Sequence, residues 1–122
     1  MLYKLHRSNI IAFDVETTSL DVQTLDLVGI GIATDDFGSW YIPISHKIDH
    51  PQLSLKTVIN SLKDVFEDVN KTFIAHNLKF DLEVLKKYGI NIIGILYDTM
   101  IMAWLVDERV KHGLKPLSNS LL

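Results

Sequence analysis

A chain of 122 residues holds one domain or less and is long enough for a single hydrophobic core. Its 48% hydrophobic and 22% charged residues match ordinary globular usage, and a net charge of -3 excludes a domain that grips nucleic acid by overall basicity. With no cysteine there is no disulfide framework, thiolate metal centre or cysteine nucleophile. No segment has the length and apolarity of a membrane span, and Met1 to Arg7 lacks the apolar stretch of a signal peptide, so a cytoplasmic location is expected.

Ile10 to Val15 is a short apolar run ending abruptly in polar residues, the pattern of a buried strand. Leu25 to Ala33 predicts a second strand, whose two glycines suggest close backbone approach or a bulge. Asp35 to Gly38 reads as a turn, and Ser39 to Ile44 as a third strand, giving consecutive hairpins. Ser54 caps a helix whose apolar face is Val58, Ile59, Leu62, Val65, Phe66 and Val69. Thr72 to Ala75 is a short strand, and a helix from about Leu78 to Tyr88 stops at Gly89. Ile92 to Tyr97 predicts a fifth strand, and Asp98 caps a helix running to about Val106. Leu114 to Leu122 has the spacing of a further helix. The order βββαβαβα implies a mixed sheet with helices packed on it.

Two constellations carry chemistry. In Phe13-Asp14-Val15-Glu16-Thr17, residues two apart share a strand face, so Asp14 and Glu16 point together while Phe13 and Val15 turn the other way. Adjacent carboxylates repel each other and resist desolvation, and a hard divalent cation relieves both problems; oxygen ligands select Mg²⁺ or Mn²⁺. A polar strand end accounts for the same residues. In His76-Asn77-Leu78-Lys79-Phe80-Asp81, Asn77 and Asp81 are helical neighbours, and Asp81 falls within the apolar stripe of Leu78, Leu82 and Leu85. A carboxylate there needs a partner or a metal, and a buried ion pair or a stripe-edge position facing water explains it equally well. An acidic strand end combined with a strand that leads into an Asn- and Asp-bearing helical turn is much rarer than either piece.

Ala12-Phe13-Asp14-Val15-Glu16-Thr17-Thr18-Ser19-Leu20 resembles the first exonuclease motif of family A DNA polymerases, and His76 to Asp81 resembles the second. Between them, Trp40 to His46 is similar to the strand and loop of DNA polymerase I, and Tyr97-Asp98-Thr99-Met100 with Ala103-Trp104-Leu105 resembles the next family segment. The likeness runs in order over nearly the whole chain. It implies a ribonuclease-H-like exonuclease fold of the DEDD superfamily: three antiparallel strands, then two parallel ones, with flanking helices. It also implies two Mg²⁺ or Mn²⁺ ions, a single-stranded DNA 3' end as substrate, and a polymerase domain in the same parent chain. Carried over by motif, Asp14 bridges both metals, Glu16 binds the first and Asp81 supports the second. Asn77 and the backbone around Thr17 hold the terminal nucleotide, and Leu20 wedges against its base. By composition alone Leu20 reads as a core residue.

One departure bears on the chemistry. The superfamily closes its site with a fourth carboxylate preceded four residues earlier by Tyr or His, and no Tyr or His here has Asp at that spacing. The motif is expected beyond Leu122, with further helices to cover the core. The domain over residues 1–122 is therefore expected to be incomplete at its C-terminus and weak as a nuclease alone. Of the remaining candidates, His46 and His50 have ligand-like spacing spoiled by Pro51, and Lys79 stands near the carboxylates as a possible phosphate contact. Met102, Trp104 and Leu105 read as core. An exoribonuclease of the same superfamily and a non-catalytic structural module of a polymerase are the competing readings.

Overall fold

Ile11, Phe13 and Val15 alternate with Ala12, Asp14 and Glu16, and this alternation sets the orientation of the central strand, β1 (Ile10–Thr17). The first set is buried in the core, while Asp14 and Glu16 are exposed on the opposite face. The structure, a computed structural model, describes residues 1–34, 38–47 and 50–121; the turn expected at Asp35 to Gly38 lies largely outside the described residues.

β1 pairs antiparallel with β2 (Leu27–Thr34), which pairs antiparallel with β3 (Gly38–Pro43). On its other side β1 pairs in parallel with β4 (Thr72–Ala75), and β4 with β5 (Ile95–Asp98). The sheet order is thus β3-β2-β1-β4-β5, the mixed arrangement that the resemblance implies. The helices are α1 (Leu2–Arg7), α2 (Leu55–Phe66), α3 (Leu78–Lys87), α4 (Thr99–Val106) and α5 (Leu114–Leu121).

The apolar stripe of α2 lies over the Phe13 face of the sheet. Phe13 and Phe73 each meet Phe66 at ring-centroid distances of 5.3 Å, the first edge-on and the second stacked. Ser54 caps α2 as its sequence predicts, accepting from Thr57 N at 3.2 Å. α3 buries Leu78, Val84 and Leu85, and Gly89 follows it with φ +87°, the left-handed conformation that ends a helix most cheaply in glycine.

Several expectations need correction. α1 precedes the first strand, unannounced by any amphipathic pattern; it is held by the buried Lys71, whose Nζ donates to the carbonyls of Leu5, His6 and Ser8 at 3.2, 3.0 and 2.7 Å. Val69 is exposed, because α2 ends at Phe66 and the chain turns away before reaching it. Strand five begins at Ile95 rather than Ile92, since Gly94 must first pass close against the Lys71 carbonyl. Met102, Trp104 and Leu105 are not core: they are exposed at 49%, 52% and 71%, and no residue of α4 is buried. Among the described residues no helix is long and apolar enough to cross a membrane.

Candidate active site

The parallel pairing of β1 with β4 extends only from Ile10↔Thr72 to Ala12↔Ile74. Beyond Ala12 the two strands part, and the C-terminal half of β1 borders a crevice. In an open α/β sheet, ligands bind at such a point outside the carboxyl ends of the strands. Asp14 and Glu16 stand on this half of β1, facing away from the core. Their cross-strand partners are Gly31 and Gly29, so no side chain rises beside them on β2. The close approach expected of these glycines occurs at Gly29, where an added Cβ would lie 2.0 Å from the Tyr41 hydroxyl. Tyr41 lies across from Gly31 on β3, and its hydroxyl pairs with His46 Nε2. The register shifts between Glu16 and Thr17, because Val28 is an extra residue on β2 between their partners Gly29 and Leu27, a bulge that interrupts the regular ladder at the end of β1.

Where the strands part, the Val15 N–H has lost a strand partner and donates instead to Asp81 Oδ1 at 3.0 Å. Asp81 sits in the first turn of α3, 2% exposed, so helix and strand are joined through a buried carboxylate. Asn77 precedes it at the N-cap of α3 with φ 62° and ψ 46°, the one non-glycine residue with positive φ among the described residues. Its side chain makes no capping bond. Asp98 does this work, accepting from Asn77 N at 3.1 Å and Leu78 N at 2.8 Å, and it also caps α4 through Met100 N at 2.8 Å. Its N-cap role was legible in the sequence, whereas its reach to α3 was not.

Asp14, Glu16, Thr17, Leu20, Asn77 and Asp81, together with His76, line one cavity of about 500 Å³. Every site residue expected from the sequence is thus brought together. Leu20 is 84% exposed at the cavity, which overturns its reading as core: it follows the bulge, on a loop that leaves the sheet. Lys79 does not line this cavity. It belongs to an apolar groove between α3, β5 and α4, on another side of the helix. His46 is taken by Tyr41, and its backbone is clamped by Gln52, which accepts from His46 N and donates to His46 O, each at 2.8 Å.

The electrostatics are those of crowded carboxylates. Burial pushes the Asp81 carboxyl up from 3.8 to about 7, with Asp14 and Asp98 adding repulsion and the Val15 N–H opposing it. Asp14 is raised by burial and then by Glu16, with His76 partly offsetting the rise. Among the described residues no hydrogen bond reaches the side chain of Asp14 or Glu16. The donor chemistry of this set, all oxygen and excess negative charge, fits a hard divalent cation. The side chains are nevertheless splayed: among the described residues no three Asp, Glu or His groups stand close enough to form a ready-made cage. His76 was not singled out from the sequence as a site residue. Its place beside Asn77 was the available signal, and the structure adds that its Nδ1 is held 2.9 Å from Thr99 Oγ1.

Comparison with known proteins agrees with this geometry. The family model described as a 3'-5' exonuclease, of the DNA polymerase A type, matches residues 1–122. DNA polymerase I of Borreliella burgdorferi is 36% identical over 122 residues, covering all of this chain and 13% of the polymerase. DNA polymerase I of Chloroflexus aurantiacus is 38% identical over 118 residues, covering 97% of this chain and 12% of the polymerase. The chain therefore spans about an eighth of the length of these relatives. Among solved structures, NrnC of Brucella melitensis superposes with a TM-score of 0.75 at 25% identity, covering 95% of this chain and 53% of NrnC. The sheet order and these likenesses agree, and the chain belongs to the 3'-5' exonuclease family of the family A DNA polymerases.

Proposed function

We propose that this domain is a proofreading 3'-5' exodeoxyribonuclease, removing the 3'-terminal nucleotide of a single DNA strand for a polymerase domain in the same parent chain in the cytoplasm. The observation that carries the reading is the convergence of Asp14, Glu16, Asp81, Asn77 and Leu20 on one cavity from segments more than 50 residues apart in the chain. Asp14, Glu16 and Asp81 would hold the two Mg²⁺ or Mn²⁺ ions. Such ions, when bound, supply an activated water and neutralise charge on the departing oxygen. The rest is the work of the chain. Asn77 and the Thr17 backbone hold the terminal nucleotide, and Leu20, on its exposed loop, wedges against the last base. Asp81, joined to the Val15 N–H, fixes the first turn of α3 against β1, so the carboxylates and the nucleotide contacts keep their relative places.

The set lacks a fourth carboxylate and its Tyr or His partner, and we assign these to a further part of the domain, which would also cover the apolar surface of α4. A non-catalytic module has no reason to keep three mutually repelling carboxylates around one cavity. The test is degradation of a 3'-labelled primer by the full parent chain. Asp14→Ala should reduce the rate by a hundredfold or more, the scale of losing a group that activates the nucleophile. Retained degradation would refute the assignment. A matched RNA strand run in competition separates this activity from an exoribonuclease, because tolerance of the 2'-hydroxyl divides the two.

A further inference from the structure

An N-cap residue ordinarily sits in the extended region and turns its side chain back onto the N–H groups of the first helical turn. Asn77 does neither: its backbone is left-handed, and its amide makes no cap bond. Yet the N-terminus of α3 is not left open. The Asp98 carboxylate, from the end of β5, receives the N–H groups of both Asn77 and Leu78, at 3.1 and 2.8 Å. The same carboxylate accepts from Met100 N at 2.8 Å, which fixes it against α4. Its neighbour Thr99 reinforces the junction, with the hydroxyl 2.9 Å from His76 Nδ1 and 3.3 Å from the Ala75 carbonyl. One residue outside the cavity thus anchors the peptide groups on both sides of Asn77, the groups whose orientation sets its φ and ψ.

The consequence lies in what Asn77 is free to do. Its exposed amide stands at the cavity that holds Asp14 and Asp81. Without Asp98 neither peptide group beside Asn77 is anchored, and a left-handed backbone, costly for a residue with a Cβ, loses what holds it. Asn77 would relax to the extended region and turn its amide oxygen onto the N–H groups of Lys79 or Phe80, since Asn is among the best N-caps. That relaxation withdraws the amide from the cavity.

We propose that Asp98 is a positioning residue of the exonuclease: by capping α3 from β5, it holds Asn77 in the left-handed conformation and keeps its side chain available to the terminal nucleotide. The proposal rests on the exonuclease reading above. It is distinct from a merely stabilising cap because its effect must pass through Asn77.

The experiment is a double-mutant cycle in the full parent chain. A fluorescently labelled single-stranded oligonucleotide is titrated in EDTA and followed by anisotropy; KM and kcat for primer degradation are then measured with Mg²⁺. Asp98→Ala should weaken oligonucleotide binding about tenfold and raise KM by a similar factor, with kcat changed less than about threefold. In an Asn77→Ala background the same substitution should change binding less than about twofold. Asp98→Asn keeps an acceptor oxygen and should stay within about threefold of wild type; if Asp98→Ala does not fold, judged by circular dichroism, Asp98→Leu, which also lacks an acceptor, carries the cycle with the same expected losses. An equal loss in both backgrounds, or no loss on Asp98→Ala, overturns the proposal. If the wild-type protein binds no single-stranded end, the exonuclease reading itself fails, and this role falls with it.

Discussion

Replacing Asp81 with Asn should stabilise the metal-free protein at pH 8 and slightly destabilise it at pH 4. The folded-state pKa of Asp81 is about 7 against an ordinary 3.8, so the fold prefers the neutral acid. Stability linked to this group is fully present below about pH 4, is lost as pH rises, and is gone above about pH 7. The displacement corresponds to at most about 4 kcal/mol of metal-free stability. Asn keeps an oxygen for the Val15 N–H, bonded at 3.0 Å in wild type, but brings an amide group without an assigned acceptor, which costs about 1–2 kcal/mol. The Asn variant should therefore go from about 1 kcal/mol less stable at pH 4 to about 2 kcal/mol more stable at pH 8. Urea unfolding in EDTA, followed by the fluorescence of the half-buried Trp40 in a Trp104→Phe background, measures the difference across this range. A stability difference that stays constant from pH 4 to pH 8 would refute the reasoning, because only ionisation of Asp81 varies it.

Two further substitutions test the geometry. Leu20→Ala should change stability by less than about 0.5 kcal/mol, since Leu20 is 84% exposed, yet slow primer degradation several-fold. A thermal melt and a primer assay read the two effects separately, and a loss of about 2 kcal/mol or more would return Leu20 to the core. Gly94→Ala should destabilise the protein by roughly 2–4 kcal/mol, because the new Cβ would meet the Lys71 carbonyl at 2.2 Å, and backbone cannot swing aside. Urea midpoints of the two proteins decide it, and an unchanged midpoint would mean that β5 does not approach β4 as described.

What could be read from the sequence was whatever one periodicity or one motif carries alone. The alternation through Ile10 to Val15, the stripe of α2 and the caps at Ser54, Asp98 and Gly89 all hold in the structure because each is settled within a few residues. The convergence of Asp14, Glu16, Asp81 and Asn77 followed from the motifs being met together. Features set by distant contacts stayed hidden. α1 has one buried residue and no stripe, and depends on Lys71, which is remote in sequence. The Tyr41–His46 pair and its placement over Gly29 depend on strand register. For α4, apolarity on every side implied burial, and its exposure is decided by what packs on it rather than by its own residues.

The parting of β1 from β4 raises a structural demand that bears on why Asp81 is a carboxylate. The freed Val15 N–H must have an acceptor, and any side chain with an oxygen at that place supplies one. Asparagine would meet this demand without the cost of a charge held at 2% exposure beside Asp14. The hydrogen bond therefore explains an oxygen at this position but not an ionisable acid. Asp14 and Glu16 are plainer still, since among the described residues no hydrogen-bond donor and no salt bridge reaches either side chain. A fold gains nothing in isolation from acids placed so that Glu16 raises the pKa of Asp14 and Asp14 that of Asp81. The excess negative charge becomes intelligible once a divalent cation shares the cavity, because the same repulsion that weakens the metal-free protein is relieved on binding. Stabilisation of the metal-free fold by Asp81→Asn, joined with loss of nuclease activity, would separate those two demands on a single side chain.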